Sequence, residues 1–101
     1  MIGFTARAAR QVRELRTHYE AKGFTGAVRN LDAALDEAVR LIAADPAAGS
    51  PTPRPYPDPK LAKPGQAWIR VGRYWVRHTT TPPLIVTAWF YDQADIPRRA
   101  D

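Results

Sequence analysis

Five prolines in strict alternation, Pro51, Pro53, Pro55, Pro57 and Pro59, divide this chain into two parts that must fold by different rules. Each proline ring fixes φ and removes a backbone donor, so neither a helix nor a paired strand survives that spacing. Seven of the ten prolines lie between Pro46 and Pro64, which predicts an extended, polyproline-like connector over residues 46–65. Two uses are open for such a run: a spacer between folded parts, which is the commoner, or a ligand for a proline-recognition module.

Ahead of the connector the apolar residues recur at helical spacing. Thr5 is a suitable N-cap and Gly23 a suitable stop, predicting a first helix over 6–22 with Ala8, Val12, Leu15 and Tyr19 on its buried stripe. Arg7, Arg10, Arg13 and Arg16 form an i, i+3 ridge around its side, most of it solvated. A second helix over 25–45 ends before Pro46, with Val28, Leu31, Leu35, Ala38, Val39 and Ile42 as its apolar face and an Asp36/Arg40 pair elsewhere. The short link around Gly23 and Phe24 implies an antiparallel helical hairpin. Residues 1–5 leave room only for a short strand or arm.

After the connector the period changes to two. Segments 66–71, 74–80 and 84–91 are rich in β-branched and aromatic residues, with Gly72-Arg73 suited to a two-residue hairpin and Pro82-Pro83 breaking the chain before the third strand. Residues 92–101 form a tail. The expected fold class is α+β: one domain over residues 1–101, an antiparallel helical hairpin packed on a small antiparallel sheet, with a three-stranded meander over 66–91 and a short or missing N-terminal strand.

A Gly72-Arg73 loop pairs Val71 with Tyr74, Arg70 with Trp75, Ile69 with Val76, Trp68 with Arg77 and Ala67 with His78. One face then carries Ala67, Ile69, Val71, Tyr74, Val76 and His78, suited to the helices. The other carries Trp68, Arg70, Trp75 and Arg77. Placing Leu84, Val86, Ala88 and Phe90 against the helices adds Ile85, Thr87, Trp89 and Tyr91 to the arginine side. These strands hold no acidic residue to pair with the arginines, and desolvating an unpaired charge costs several kcal/mol by general estimate, about enough to keep that face open. An open face of arginine and tryptophan reads as a binding surface, with a dimer interface or coverage by the connector or tail as the alternatives.

Composition narrows the setting. The chain has no cysteine and nowhere a long apolar run, so a disulfide-stapled secreted fold and a membrane span are not expected, and a cytoplasmic location is. Fifteen Lys and Arg against ten Asp and Glu give a charge of +5, suited to nucleic acid or an acidic protein segment; a GC-rich coding bias toward arginine is the plainer source of the same excess.

The order of elements, the Val71-Gly72-Arg73-Tyr74 turn, the Ile42-Ala43-Ala44-Asp45-Pro46 helix end and the closing Asp95-Ile96-Pro97-Arg98 resemble ParE-type toxins of the RelE/ParE superfamily. The Ala- and Arg-rich stretch from Ala6 to Leu15 is similar to the start of their helical hairpin. The proline-rich connector is longer than usual there, and the N-terminal strand shorter. The resemblance implies a short N-terminal strand beside the meander, growth inhibition by the free toxin, and a cognate antitoxin that wraps it in a complex of two toxins with two antitoxins. It also implies one of two targets: DNA gyrase, poisoned by binding, or the ribosome, on which RelE-like relatives cut messenger RNA with basic residues and often a tyrosine.

For the nuclease reading the candidates are Arg70, Arg73 and Arg77 as phosphate clamps, with His78 or Tyr91 moving the proton. His78 falls on the helix-facing side, where a lone histidine is more often packed than reactive. His18 is expected to face solvent. No carboxylate pair, metal-ligand spacing or glycine-rich phosphate loop occurs in the sequence, so no metal or cofactor is expected. The expectation is therefore a ParE-like binding toxin with a target- or antitoxin-binding surface of Trp68, Arg70, Trp75, Arg77, Trp89, Tyr91, Arg98 and Arg99. The alternatives are a RelE-like endoribonuclease and a non-toxic nucleic-acid or partner-binding module.

Overall fold

The computed structural model describes residues 2–93 and Ile96. Strand β1 (Gly3–Phe4) leads into helix α1 (Ala6–Ala21), helix α2 (Thr25–Ala44) follows, and the strands β2 (Gln66–Val71), β3 (Tyr74–Thr79) and β4 (Ile85–Tyr91) close the described chain. The Thr5 hydroxyl accepts from Ala8 N–H at 3.1 Å, capping α1. Gly23, at φ +70°, supplies the left-handed turn between the helices.

The strand order is β1-β4-β3-β2. The meander is antiparallel, but β1 runs parallel to β4, pairing Gly3 with Ile85 and Phe4 with Val86. The expected all-antiparallel sheet of three strands is thus a mixed sheet of four, and the N-terminal strand exists in short form. Around the turn the register is the expected one, from Val71↔Tyr74 to Ala67↔His78. Gly72 takes φ +57° there, and Arg73 keeps an ordinary negative φ.

Both helices lie on one face of the sheet. Ala8 and Val12 of α1 and Leu31, Ala34, Ala38 and Ile42 of α2 form a core with Val71, Tyr74, Val76, Val86 and Trp89. Val39, assigned to the apolar face of α2, is 38% exposed, and Ala34 and Leu41 turn toward the core instead. Arg40 pairs with Glu37 rather than Asp36. The helices are tied by Arg16 to Asp32 at 2.6 Å, a contact that raises the Arg16 pKa.

The opposite face is the main correction. It is not open: Trp68, Trp75 and Arg77 are buried there with Ala88 and Phe90, under Leu61, Tyr56 and Ile96. The connector is therefore more than a spacer. It bridges the edge of β2 through Ser50 and Trp68, whose backbones exchange hydrogen bonds of 2.9 and 2.7 Å, and then forms a 3-10 turn at Pro59–Leu61. Trp68 Nε1–H donates to the Leu61 carbonyl at 3.0 Å. That segment covers apolar area of Trp68, Trp75 and Phe90 that solvent would otherwise meet.

The expected facing of the third strand is also corrected in its second half. His78 pairs with Val86 but Arg77 pairs with Ala88, so Thr87 is an extra residue, a β-bulge. The bulge breaks the period of two. Ala88 and Phe90, expected against the helices, go to the connector side, and Trp89 and Tyr91, expected with the arginines, go to the helix side.

Candidate binding cleft at the hairpin end

At the tip of the β2–β3 hairpin a cleft of about 1270 Å³ lies between the helical hairpin and the sheet. Its walls come from separate elements: His18 and Tyr19 at the end of α1, Phe24 in the interhelical turn, and Arg73, Tyr74 and Tyr91 from the sheet. The register sets Tyr74 beside Tyr91, with ring centroids 6.1 Å apart and edge to face. The Tyr74 and Tyr19 hydroxyls share a hydrogen bond of 2.8 Å. Burial pushes the Tyr74 phenol well above its ordinary pKa, and the Tyr19 hydroxyl adds to the shift.

Arg73 owes its position to the turn. Gly72 takes the left-handed conformation, so the arginine beside it projects at the tip, exposed, where its guanidinium interacts with Tyr91 and its pKa is raised by that contact. A second clasp braces the tip: Arg70 Nη2 meets Asp92 Oδ2 at 2.6 Å, and Asp92 N–H donates to the Arg73 carbonyl at 2.8 Å. The acid missing from the strands thus lies one residue beyond them.

The structure scatters the residues singled out from the sequence. Trp68, Trp75 and Trp89 are each 5% exposed or less and serve as core. Arg77 is 6% exposed, with its guanidinium 5.5 Å from the centre of the Trp68 ring and its Nε–H donating to Thr87 Oγ1 at 3.0 Å. An indole face and a threonine hydroxyl are among the contacts that make a cation tolerable in this layer. His78 is 1% exposed and donates from Nδ1 to the Thr79 carbonyl at 2.8 Å, as a packed histidine. Arg70, Arg73 and Tyr91 remain accessible, Tyr91 in part, and gather at the hairpin end. Arg98 and Arg99 lie outside the described residues.

Sequence reasoning missed His18, Tyr19 and Tyr74 as lining of a common cleft. By period Tyr19 and Tyr74 read as core positions, which they also are, and nothing local signals that both line a common cleft. Among the described residues no group of three or more His, Cys, Asp or Glu side chains is placed to hold a metal, and no helix is long and apolar enough to cross a membrane.

The cleft is an aromatic trough with a fixed cation at its mouth, able to hold a ring or an anionic group against Arg73. No family model matches this chain, and neither a curated protein nor a solved structure matches it.

Proposed function

We propose that this chain is the toxin of a type II toxin–antitoxin pair, ParE-like in acting by binding an essential target such as DNA gyrase and neutralised by a cognate antitoxin. The observation that carries the reading is the arrangement of elements: a short strand, a helical hairpin, then a meander, with β1 set beside β4. That arrangement is what the resemblance to RelE/ParE toxins implies, together with the Gly72-Arg73-Tyr74 turn.

Binding is favoured over cutting because two of the five catalytic candidates, Arg77 and His78, have structural duties. Arg77 is packed on Trp68 beneath the connector, and His78 is buried with its Nδ1 held by the Thr79 carbonyl. The surface left for a target is the hairpin end, with Arg73, Tyr91 and the exposed Arg70.

Inducible expression in a bacterial host, with and without the neighbouring gene, tests the proposal. Growth arrest with DNA damage, relieved by the neighbour, and linear DNA accumulating in a gyrase reaction are the expected results. Harmless expression in both settings would sink the toxin reading.

One observation favours the RelE-like alternative: Arg73 and Tyr91 interact at the mouth of a cleft that also holds His18. On that reading, messenger RNA from arrested cells shows codon-phased cuts that disappear in Tyr91→Phe and in Arg73→Ala.

A further inference from the structure

Apolar walls and unused hydrogen-bond donors coincide in the cleft at the hairpin end. Tyr19 of α1, Phe24 of the interhelical turn, Tyr74 of β3 and Tyr91 of β4 each bring an aromatic ring to it. Phe24 is 52% exposed, and Leu15, Ala34 and Val71 add aliphatic lining. A flat ring seated among these side chains removes apolar area from water on both partners.

Two polar pairs border that apolar volume. The Tyr19 and Tyr74 hydroxyls share one hydrogen bond of 2.8 Å, which uses one hydroxyl hydrogen and leaves the other for an acceptor. At the mouth the Arg73 guanidinium donates to the Tyr91 hydroxyl, a contact that occupies part of its fork. The rest of the fork and the Tyr91 hydrogen are left for an anion.

The neighbouring acids do not cancel Arg73. Glu37, the acid among the described lining residues, is held by Arg40, whose Nε–H donates to Glu37 Oε2 at 3.0 Å. Asp92, near the mouth, is held by Arg70 at 2.6 Å. Each carboxylate is thus matched by another arginine, and the cleft keeps one positive charge in excess.

We propose that this cleft binds a small, planar aromatic carboxylate, its ring among Tyr19, Phe24 and Tyr91 and its carboxylate on Arg73 and the Tyr91 hydroxyl. A carboxylate is planar and its two oxygens fit the guanidinium fork, so charge and shape select the same end of the ligand. The cleft volume of about 1270 Å³ exceeds that of an ordinary small-ligand pocket, roughly 300–1000 Å³, and admits a fused two-ring compound with solvent beside it. A second copy of the chain docking here would set two Arg73 cations together, whereas a single anion is attracted to one.

The inference goes beyond the toxin reading and does not rest on it, because it concerns a small ligand of the purified chain and not growth. The probe is naphthalene-2-carboxylate, titrated into the isotope-labelled full chain. Naphthalene-2-carboxamide supplies the rings without the charge, and octanoate the charge without the rings. Amide and aromatic shifts give the affinity, and nuclear Overhauser contacts locate the probe.

The naphthoate is expected to bind with a Kd of about 1 mM or below and to contact Phe24 and Tyr91. The carboxamide and octanoate should each bind at least about tenfold more weakly. Arg73→Gln should weaken naphthoate binding about tenfold, and Tyr91→Phe, which keeps the ring, about threefold. Arg13→Gln removes an exposed α1 arginine that is not among the cleft's lining residues, and should change the affinity less than about twofold.

Absence of naphthoate binding up to about 10 mM would overturn the proposal, as would contacts outside the cleft. Equal losses in Arg13→Gln and Arg73→Gln would also overturn it, by reducing the effect to diffuse attraction toward a chain of net charge +5. So would octanoate binding as tightly as the naphthoate, or a uridine trinucleotide occupying the cleft while the naphthoate does not.

Discussion

Tyr74 joins the cleft to the core, since its ring packs on Trp89 at 5.4 Å between centroids while its hydroxyl meets Tyr19. Because its folded pKa is raised, the folded chain retains a proton that the unfolded chain gives up above about pH 10, the ordinary phenol value. Its contribution is complete below that pH and is lost as the pH rises further. Tyr74→Phe should therefore cost about 1 kcal/mol at neutral pH, from the lost hydrogen bond, yet flatten the alkaline fall in stability. Urea unfolding at neutral pH and at about pH 10.5 checks both; parallel profiles for the two proteins would refute the assignment. Arg77 makes a related point. A strand arginine with no acid in the neighbouring strands reads as exposed, yet Arg77 is buried, with the Trp68 indole face and the Thr87 hydroxyl among its contacts.

Among the elements, the connector and β4 have each a residue on which their placement depends. Gly49 sits so close to β2 that an added Cβ would lie 2.7 Å from the Trp68 carbonyl oxygen and 2.9 Å from the Ala67 Cβ. Backbone and core atoms cannot give way cheaply, so Gly49→Ala should destabilise by roughly 1–3 kcal/mol and loosen the Ser50 bridge. Thermal unfolding measures the loss, and faster exchange at the Trp68 amide identifies its location. In β4 the extra residue Thr87 sets which half of the strand faces which layer. Deleting Thr87 would send either Trp89 or Val86 to the wrong side, and a broad, non-cooperative thermal transition is expected. A sharp transition near that of the intact chain would show that the bulge is dispensable.

For the molecule as a whole, the closed second face leaves Arg70, Arg73 and Tyr91, at the hairpin end, as the accessible part of the expected arginine and aromatic surface. Under the toxin proposal, Arg73→Glu should relieve growth arrest while leaving the melting temperature within about 2 °C, because Arg73 is exposed and outside both cores. Relief accompanied by a large fall in melting temperature would instead assign Arg73 a structural role. Legibility from the sequence follows the range of the forces involved. The Thr5 cap, the helix spans, the Gly72-Arg73 turn and the β2–β3 register depend on neighbours a few residues away, and were read correctly. The facing of β4 was not, since a bulge leaves no mark on the apolar pattern of 84–91.

The arginine and tryptophan side shows where that division falls. Sequence alone determined that Trp68, Arg70, Trp75 and Arg77 share one side of a hairpin, because strand periodicity and turn length require it. Whether that side meets water was decided only by tertiary structure. Leu61 and Ser50 reach it from the proline connector, Ile96 from beyond β4, and Asp92 reaches Arg70 from the end of the sheet. Those partners are distant in sequence and are brought there by burial of apolar area, a force with no direction and therefore no local signature.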